Sequence, residues 1–576
     1  MKKYNLIMDY SKLNFKKKSH LIFFDEFLYN LFSKKKLKNY SSLYINDFDY
    51  LSKRTPDFFF IKKKLKIYRK QLSNKLNAIH NTNYSIKFWG LILDYFLVVL
   101  INNINMNFNG INRIKKNYDF NAKLIDLKNI FFLDTHDFLK FLEDDYQYTT
   151  YIRSVIIKTI TKNNNYKSEK ITKNFHQEIR ISYNLIYQFT LNFITFFFRI
   201  YIFIAKPTII FNGYFKIKNS LLIFLKSFGR IFFVNSYFFF YKRSFLVKKN
   251  NNLRENIKIK EIDHFDKVFN ILLVDFLPSS YLEAHMFYNS KVNIFSNRIL
   301  KIGSAISIIA DDYFKYLAAA ILEKKGLLFT FQHGGFLGQS KLRLSELIEK
   351  KYSSKIFYWN NKEGLGMHYL SNFKKIKIDK IVQNNLILLY QTNLVEHENY
   401  ADGDSLNIKS HPYLNGLYQF YNGLDLIYKN ISAVKLFPQY NVSFTKKVWI
   451  KKCGNEINFL KKKRSFDLFY KSRIVILDDI STALIELLYI GVPFILIHND
   501  KFYDYDKKFI KYFNYLIKLN ILFSSSKEAS EFINKNYYNI DFWWRKVNED
   551  KVFIKFKNEF FNKKKNYISK IIKAII

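Results

Sequence analysis

Blocks of apolar and polar residues divide the chain into predicted strands and helices. One short apolar run, Leu327–Phe331, predicts a buried strand, and the polar pair Gln332 and His333 follows it directly. Gly334 and Gly335 come next, and two glycines after a strand favour a turn in which the backbone closely approaches another group. This turn is therefore the first candidate for the edge of an active site.

The residues before this strand predict an alternation of strands and helices. The runs Ile271–Asp275 and Lys291–Phe295 predict strands, and Tyr313–Glu323 predicts a helix with acids at 311–312 before it and Gly326 as its C′ residue. Such an order favours a mostly parallel sheet, in which ligands bind outside the carboxyl ends of the strands. The turn that contains His333 would lie at that edge.

A second α/β unit is predicted in the C-terminal half. Its elements are strands Leu386–Tyr390, Ala433–Pro438 and Arg473–Leu477, a helix that ends at Gly491, and strand Phe494–Ile497. Ser481 and Thr482 stand at the start of the helix, where free N–H groups and the helix dipole favour a phosphate. Glu486, four residues after Thr482 on the same face, is placed to accept from a ribose hydroxyl. An ordinary capped helix is the alternative.

Four acidic or basic side chains complete the candidate chemistry. His333 is a candidate general base, because imidazole changes its charge near neutral pH. Glu346 and Glu349 would share one face of a helical turn and support His333 or hold a sugar hydroxyl, unless they form a surface acidic pair beside lysines 350–351. Lys435 ends a predicted strand and either neutralises a phosphate or is one lysine among many.

The N-terminal half carries weaker signals. Its apolar runs predict early strands within 4–9 and 21–28, a helix over Gly90–Ile104, and mainly helical structure over 105–270. His80 would lie in the last turn of a helix that ends at Asn81. A partly charged ring is favourable at that position, so the spacing alone predicts a structural role for His80.

Composition narrows the class of protein. A chain of 576 residues with 49% hydrophobic residues exceeds one hydrophobic core, so we expect two or more domains. The net charge of +45 suits nucleic acid, an anionic membrane or phosphorylated substrates, but the lysines are spread over the whole length, which favours a general compositional bias. The single cysteine, Cys453, excludes an intramolecular disulfide and a multi-cysteine metal site.

Targeting and metal-binding signals are weak. The apolar run at the N-terminus is too short for a signal peptide. The segment Leu185–Ile204 is interrupted by polar residues and favours a buried or membrane-surface helix, so we expect a cytoplasmic protein, peripheral at the inner face of the membrane. Asp-x-Asp occurs three times, at 47–49, 402–404 and 504–506, which makes it uninformative here, and no metal is predicted.

Several motifs together resemble a bacterial family of transferases from lipopolysaccharide O-antigen and other surface-carbohydrate gene clusters. The motifs are, in order, Leu76-Asn-x-Ile-His80 with Trp89, Leu277-Pro278 with Tyr281-Leu-Glu283, Lys315-x-x-Ala318, Gln332-His-Gly-Gly335, Glu346-x-x-Glu349, Lys355–Trp359, and Ser481-Thr-x-x-x-Glu486 with Trp543-Trp544. The chain differs from the family pattern at Leu337, Lys435 and Asn360, where an aromatic residue, an arginine and a glycine are expected.

The resemblance implies an α/β fold of GT-B type, with two Rossmann-like domains facing a cleft and a large helical portion in the N-terminal half. The expected domains are 1–380 for the acceptor, with a helical insertion at about 100–265, then 381–545 for the nucleotide donor, and a basic helical tail at 546–576. The expected substrates are a nucleotide-activated sugar or polyol donor and a glycan or lipid-linked acceptor, without a metal or other cofactor.

The motifs and the resemblance together predict the roles of twelve residues. The catalytic group is His333, Glu349 and Glu346; the nucleotide- or phosphate-binding group is Gly334, Gly335, Lys435, Ser481, Thr482 and Glu486; and the acceptor-side group is Gln332, His80 and Trp89. Two alternatives without catalysis stay open: a basic scaffold that binds an anionic membrane surface, and a nucleic-acid-binding protein. Nucleic acid is the less favoured partner, because the lysines do not form one predicted face.

Overall fold

The computed structural model describes most of the chain and shows a mixed α/β protein with parallel sheets. The described residues are 3–8, 19–24, 29, 37–38, 40–44, 50–144, 146–161, 166, 168–172, 196–197, 200–234, 247–335, 343–359, 384–391, 410–436, 442–460, 465–478, 480–498, 506–560 and 566–576. Each strand pairing among these residues is parallel. Parallel neighbours need long crossovers, which is why helices separate most of the strands.

The N-terminal part of the chain contributes three sheets. The strands are β1 (Lys3–Ile7), β2 (His20–Phe23), β3 (Ser41–Tyr44), β4 (Asp119–Ala122), β5 (Leu124–Lys128), β6 (Ser168–Thr172), β7 (Thr208–Phe211), β8 (Ile231–Val234), β9 (Lys301–Ser304), β10 (Leu327–Phe331) and β11 (Lys355–Phe357). They form a four-stranded sheet of order β3-β2-β1-β4, the pair β5-β6, and a five-stranded sheet of order β11-β10-β9-β7-β8. When the five strands are numbered 1 to 5 in chain order and read from β8 to β11, the order is 2-1-3-4-5. This is one of the two common doubly wound arrangements.

The C-terminal part contributes one six-stranded sheet. Its strands are β12 (Leu386–Tyr390), β13 (Ser432–Lys435), β14 (Asn458–Phe459), β15 (Ser472–Leu477), β16 (Phe494–Ile497) and β17 (Leu522–Phe523). The order β14-β13-β12-β15-β16-β17 is 3-2-1-4-5-6 along the chain, the order of Rossmann dinucleotide-binding folds. The direction of winding reverses between β12 and β15, and ligands of such sheets bind at the carboxyl ends beside that point.

Helices cover the sheets and supply most of the buried surface. Up to the end of the five-stranded sheet they are α1 (Tyr50–His80), α2 (Ile86–Asn117), α3 (Thr135–Asp144), α4 (Tyr146–Ile160), α5 (Ile217–Lys226), α6 (Asn251–Asn256), α7 (His264–Phe276), α8 (His285–Ser296), α9 (Ser307–Ala310), α10 (Asp312–Glu323) and α11 (Leu344–Tyr352). Those that follow are α12 (Ser410–Gly423), α13 (Leu426–Asn430), α14 (Val442–Cys453), α15 (Ser465–Phe469), α16 (Thr482–Ile490), α17 (Lys507–Ile510), α18 (Phe513–Lys518), α19 (Ser526–Asn536), α20 (Ile540–Glu549), α21 (Lys551–Phe560) and α22 (Tyr567–Ile575).

The central helix of the N-terminal core is α2. Within the described residues it is the one helix long and apolar enough to cross a membrane, and its most apolar window is entirely buried inside the protein. Ser85 caps the helix by accepting a hydrogen bond from the backbone N–H of Phe88. The segment Leu185–Ile204, predicted to be a buried or membrane-surface helix, lies partly outside the described residues. Burial on all sides of α2 therefore identifies it as a core helix that organises its neighbours.

A buried polar network joins α10 to the start of α3. Lys315 forms a 3.0 Å ion pair with Asp312, and both side chains are almost fully buried. Asp312 also accepts hydrogen bonds from the backbone N–H of Thr135 at 2.8 Å and from the hydroxyl of Ser280 at 2.6 Å. A buried ion pair costs desolvation, which additional hydrogen bonds to the carboxylate offset. This network fixes the start of α10, the helix between β9 and β10.

The C-terminal half follows the sequence prediction closely. The predicted strands appear as β12, β13, β15 and β16, and the predicted helix is α16 with Ser481 as its N-cap. Gly491 has a φ of 94°, the left-handed conformation expected where the helix ends. The two faces of this sheet bury separate cores, one under α16 and one under α12 and α19. The C-terminal helix α22 packs instead on the five-stranded sheet, where Ile571 and Ile575 are buried.

Several predictions for the N-terminal half were wrong. The runs Ile271–Asp275 and Lys291–Phe295 lie in helices α7 and α8, and the strand before α10 is β9. In α7 the buried residues recur at helical spacing and Asp263 caps the helix, so its four-residue apolar run is one part of a longer helical face. The span of about 100–265, expected to be a helical insertion, also contains β4 to β8. At the end of α10 the left-handed residue is Lys325, with a φ of 59°, and Gly326 follows it.

Candidate functional site

The candidate site begins at the carboxyl end of β10, where Gln332 fixes the turn. The backbone N–H of Gln332 donates to the carbonyl of Phe357 at 3.0 Å, which extends the pairing with β11. Its side-chain Nε2 donates to the carbonyl of Gly334 at 2.7 Å, and its Oε1 accepts from the backbone N–H of Trp359 at 2.6 Å. The buried amide therefore holds the turn against the neighbouring strand. Gln332, predicted on the acceptor side, makes these structural contacts instead of facing solvent.

His333 pairs with Glu349 from α11. The Nε2 atom of His333 lies 2.7 Å from Oε1 of Glu349, and both side chains are largely buried. The second carboxylate oxygen, Oε2, is buried and has no hydrogen-bond partner among the described residues. A neutral imidazole that donates Nε2–H to Glu349 carries its lone pair on Nδ1. Glu349 thus selects the tautomer and stabilises the imidazolium that forms when Nδ1 takes a proton.

Helix α11 is held in place from its other end. Tyr352 donates a hydrogen bond from its hydroxyl to Oδ2 of Asp94 in α2 at 2.6 Å, and Lys351 contacts the same oxygen at 3.0 Å. Glu346, one turn before Glu349, forms a 2.6 Å ion pair with Lys350 and accepts from a tyrosine hydroxyl. Glu346 was predicted as a catalytic residue, but His333 makes its hydrogen bond to Glu349 and not to Glu346. Glu349 is therefore the carboxylate that the structure brings to the histidine.

The turn after His333 contacts the start of α16. The backbone N–H of Gly335 donates to Oγ1 of Thr482 at 2.9 Å. A Cβ built on Gly335 would lie 2.5 Å from the carbonyl carbon of Ser481 and still closer to the backbone nitrogen of Thr482. Gly334, in contrast, has open space at that position. Gly335 is thus the residue of the pair that this close approach requires.

The same helix start has the features of an anion site. Ser481 accepts from the backbone N–H of Ala483 at 3.3 Å, as an N-cap does, and α16 is buried from its second residue to its end. The positive end of the helix dipole therefore points toward the turn that contains His333. The predicted base and the predicted phosphate seat, which come from different sheets, thus meet at one place.

Lys435 places a positive charge in the C-terminal sheet, two strands away from β15, the strand that precedes α16. Lys435 ends β13 and pairs in register with Tyr390 of β12, so both side chains leave the sheet on the same face. Tyr390 packs in the core under α16, which places Lys435 on that face as well. Burial lowers the pKa of Lys435, and its ammonium has no hydrogen bond or ion pair among the described residues. Strand spacing puts β13 roughly 10 Å from β15.

Glu486 lies on the inner side of α16, near Tyr390. Burial first, and then the charges of Glu486 and Asp478, raise the pKa of Tyr390 to about 12. The Tyr390 hydroxyl is 3.0 Å from that of Ser465, and this hydrogen bond lowers the pKa by more than either carboxylate raises it. Glu486 is buried rather than exposed, so its predicted contact with a ribose would need a ligand that reaches between α16 and the strand ends. The structure does not bring Glu486 to His333.

His80 and Trp89 belong to a separate network. His80 Nε2 lies 3.1 Å from the carbonyl of Tyr281, and its ring stacks on that of His285 at 4.0 Å between centroids. Trp89 donates from Nε1 to Oδ1 of Asn77 at 2.7 Å. Burial lowers the pKa of His80, and none of the contacts of these two side chains within the described residues reaches His333. The structural role that spacing predicted for His80 fits this position better than the acceptor role implied by resemblance.

One residue near the site was not predicted from the sequence, and two positions discussed above lie outside the described residues. Gln391, directly after β12, donates its backbone N–H to the carbonyl of Lys435 and accepts from Trp449 Nε1 at 2.5 Å, while its own Nε2 is buried without a partner among the described residues. The sequence feature that could have identified Gln391 is its position directly after a predicted strand. The divergent positions Leu337 and Asn360 lie outside the described residues. Over the described part of the chain, no group of three or more His, Cys, Asp and Glu side chains is arranged to hold a metal.

These features define an α/β protein of parallel sheets with a candidate site where the turn after one sheet meets a helix of the next. Comparison with protein families gives the narrower class. The chain matches the LIC12162 family transferases over residues 4–575, and it belongs to that family. It is therefore a transferase by family.

Other comparisons are more distant. A search of curated proteins finds no match. Among solved structures, the chain is similar to a UDP-N-acetylglucosamine 2-epimerase from Listeria monocytogenes, with a TM-score of 0.33 and 11% identity over 64% of this chain and 95% of that one. It is also similar to S. aureus MnaA in its UDP co-structure, with a TM-score of 0.23 and 11% identity over 79% of this chain and 95% of that one.

Proposed function

We propose that this protein is a glycosyltransferase-like enzyme that moves a sugar or polyol-phosphate unit from a nucleotide donor to a surface glycan. Family membership supports transfer chemistry in general. The finer assignment is carried by one observation, the hydrogen bond and close approach between Gly335 and Thr482. This contact joins a histidine–glutamate pair to the start of a buried helix. A transferase needs a base and a phosphate seat close together in this way.

The donor would bind at the carboxyl edge of the six-stranded sheet, beside the point where its winding reverses between β12 and β15. Its diphosphate would lie at Ser481 and Thr482, and Lys435 would add a positive charge from the neighbouring strand. The lowered pKa of the partly desolvated lysine supports this role, because a phosphate would restore the lost stabilisation of its charge. Glu486 would bind the ribose from the inner side of the helix.

The reaction would take place at His333. Its Nδ1 would remove the proton from an acceptor hydroxyl while that oxygen bonds to the transferred unit and the nucleotide leaves with the bonding electrons. Glu349 would stabilise the imidazolium through the 2.7 Å contact to Nε2. The positive end of α16 would stabilise the negative charge that develops on the leaving phosphate. No metal is needed in this scheme, because the helix and Lys435 supply the positive charge.

The acceptor in this proposal is a glycan or its lipid-linked precursor for lipopolysaccharide O-antigen or capsule, assembled at the inner face of the cytoplasmic membrane. The order of motifs in the sequence motivates this choice. We further propose that residues 1–380 bind the acceptor and 381–545 the donor, because the histidine and the helix belong to these two parts. The C-terminal helix, within 546–576, would connect them, since it packs on the five-stranded sheet.

A thermal-shift screen tests the proposal. The purified protein is heated with nucleotide sugars, CDP-polyols and CMP-linked acidic sugars, and the same panel is run on His333→Ala and Thr482→Ala. A ligand at 100 times its Kd stabilises the folded state by about 2.7 kcal/mol, which gives a measurable rise in Tm. We expect one donor class to stabilise the wild type, Thr482→Ala to weaken the effect and His333→Ala to keep it. The absence of any stabilising nucleotide would remove the main support for an enzyme of this type.

A further inference from the structure

An exposed apolar stripe lies on α5, beside the five-stranded sheet. Ile217, Leu221 and Leu225 recur at intervals of four residues and are 89%, 56% and 60% exposed, and Phe228 in the following turn is 92% exposed. The opposite side of α5 buries Ile223 against the sheet and the C-terminal helix. A globular helix normally turns such a stripe inward. Both sides of α5 therefore carry apolar residues, and one of these sides is exposed.

A second helical segment extends the stripe. In residues 200–205, Phe203 and Ile204 are exposed, whereas Ile202 is buried. Tyr201 joins this segment to the end of α5, because its hydroxyl donates to the carbonyl of Gly229 and its ring contacts those of Phe224 and Phe232. The exposed side chains of both helices therefore belong to one region of the surface. Large contiguous apolar patches on a soluble surface mark a site of interaction.

Positive charge surrounds this region. Lys216, Lys218, Lys226 and Arg230 are exposed and flank the apolar side chains, and none of them forms an ion pair with a carboxylate among the described residues. The sequence explains why: between Glu178 and Glu255 there is no aspartate or glutamate, whereas twelve lysines and arginines occur. An apolar stripe flanked by unopposed lysines and arginines matches an anionic lipid surface, into which the apolar side chains insert while the cations remain at the headgroups.

We propose that this surface, formed by α5, the turn at Phe228 and residues 200–205, docks the protein on a membrane that contains anionic phospholipid. The local absence of acids favours an anionic partner, since Lys216, Lys218, Lys226 and Arg230 attract negative charge and repel a basic surface. The start of the stripe also lies next to the candidate site. Phe215, two residues before Ile217, packs edge-on against Phe331 at 5.6 Å, and Phe331 is the residue before Gln332 and His333. A docked membrane would thus present a lipid-linked acceptor close to the turn that contains His333.

Vesicle binding by the full-length protein, without any nucleotide, tests the docking surface separately from the proposed chemistry. The probes are phosphatidylcholine vesicles with and without phosphatidylglycerol, in a flotation or sedimentation assay. Leu221→Asp/Leu225→Asp changes two exposed residues of the stripe. Leu426→Asp/Ile427→Asp is the matched control, because these two residues are also exposed but lie on α13 in the C-terminal part. Thermal unfolding and circular dichroism verify that each variant is folded.

We expect the wild type and the α13 control to bind anionic vesicles equally, and the stripe variant to bind at least tenfold more weakly. Lys216→Gln/Lys218→Gln should weaken binding by about fivefold for each charge removed, and about 0.5 M salt should reduce it similarly. Failure of the wild type to bind anionic vesicles would overturn the proposal, as would equal binding by the stripe variant. Analytical ultracentrifugation covers the alternative occupant: a wild-type dimer that the stripe variant converts to a monomer, without vesicle binding, would assign the surface to a second copy of the chain.

Discussion

The backbone N–H of Gly335 donates a 2.9 Å hydrogen bond to the side-chain oxygen of Thr482, which follows 147 residues later in the chain. Gly335 belongs to the turn after β10, and Thr482 begins the helix after β15. The bond therefore joins the carboxyl edges of two different parallel sheets, where ligands of α/β folds bind. The candidate site exists because these two edges meet.

Replacing Gly335 by alanine should separate the turn from the helix. The new Cβ would clash with backbone atoms of Ser481 and Thr482, which cannot move aside as a flexible side chain can. Overpacking of this kind costs about 1–3 kcal/mol, so we expect the free energy of unfolding to fall by that amount in a urea titration. Gly334→Ala is the control, because its Cβ meets no atom within 4 Å. Equal destabilisation by the two variants would contradict the close approach.

Thr482→Val should remove the acceptor for the Gly335 N–H without changing the shape of the side chain. The loss leaves a donor unsatisfied and is expected to cost about 1 kcal/mol of stability. Thr482→Ser keeps the hydroxyl and should restore most of it. Hydrogen exchange of the Gly335 amide provides the direct check, and faster exchange in Thr482→Val than in Thr482→Ser is the expected result. Unchanged protection in the valine variant would show that the amide has another partner.

Glu349→Gln should slow turnover without loss of donor binding. The amide oxygen still accepts from His333 Nε2, but it no longer carries the charge that stabilises an imidazolium. We expect kcat to fall by about 10²-fold or more while the Kd of the nucleotide changes by less than about twofold. Glu346→Gln is the matched variant, since Glu346 pairs with Lys350 instead. If Glu346→Gln has the larger effect on kcat, the assignment of Glu349 is wrong.

Acid should destabilise the N-terminal core through His285. Burial, and then the neighbouring His80, lower the pKa of His285 from 6.5 to about 3. Its folded-state pKa is below its unfolded value, so the unfolded state binds more protons between these two pH values and stability falls as pH decreases through this window. The slope reaches about 1.4 kcal/mol per pH unit for one proton. Urea titrations from pH 7 to 4 should show a smaller slope in His285→Gln, and an identical slope would exclude His285 as the source.

Removing one partner of the ion pair in α10 should reduce the free energy of unfolding more than replacing both partners. Lys315→Met leaves Asp312 buried without its cation, which we expect to reduce the free energy of unfolding by about 3–5 kcal/mol. Asp312→Asn/Lys315→Met replaces both charges and should be destabilised less than the single Lys315→Met variant. Thermal unfolding of the three proteins measures this difference. A double variant at least as unstable as Lys315→Met would show that the unpaired charge of Asp312 is not the cause of the loss.

The sequence predicted the elements around the site better than the contacts between them. Ser481, Gly491 and the apolar strands beside them are local signals, and the structure reproduces that strand–helix–strand order. Glu349 lies 16 residues from His333 along the chain, so their pairing was within reach of a local argument. The contact of Gly335 with Thr482 could not be predicted from a local argument, because the packing of one sheet against another produces no periodic pattern in either segment.

The wrong strand and helix predictions also arise from tertiary contacts that a local sequence pattern does not contain. The apolar run within Ile271–Asp275 is short enough for a buried strand and equally fits the face of a helix. Its identity is decided by Asp263, eight residues earlier, which caps the helix, and by packing against α4 and α2. Conversely, Thr208–Phe211 lies within 105–270, which the sequence predicts to be mainly helical, although these four residues form the fully buried strand β7. Tertiary contacts override local preference in both cases.

The central claim is that the turn at Gly335 and the start of α16 form one nucleotide site, and isothermal titration of the donor nucleotide tests it most directly. The titration compares the wild type with Gly335→Ala and Gly334→Ala, using the nucleotide diphosphate or monophosphate that stabilises the protein best. Our account predicts a single site, affinity reduced by about tenfold or more in Gly335→Ala, and unchanged affinity in Gly334→Ala. Wild-type affinity in the folded Gly335→Ala variant would contradict it.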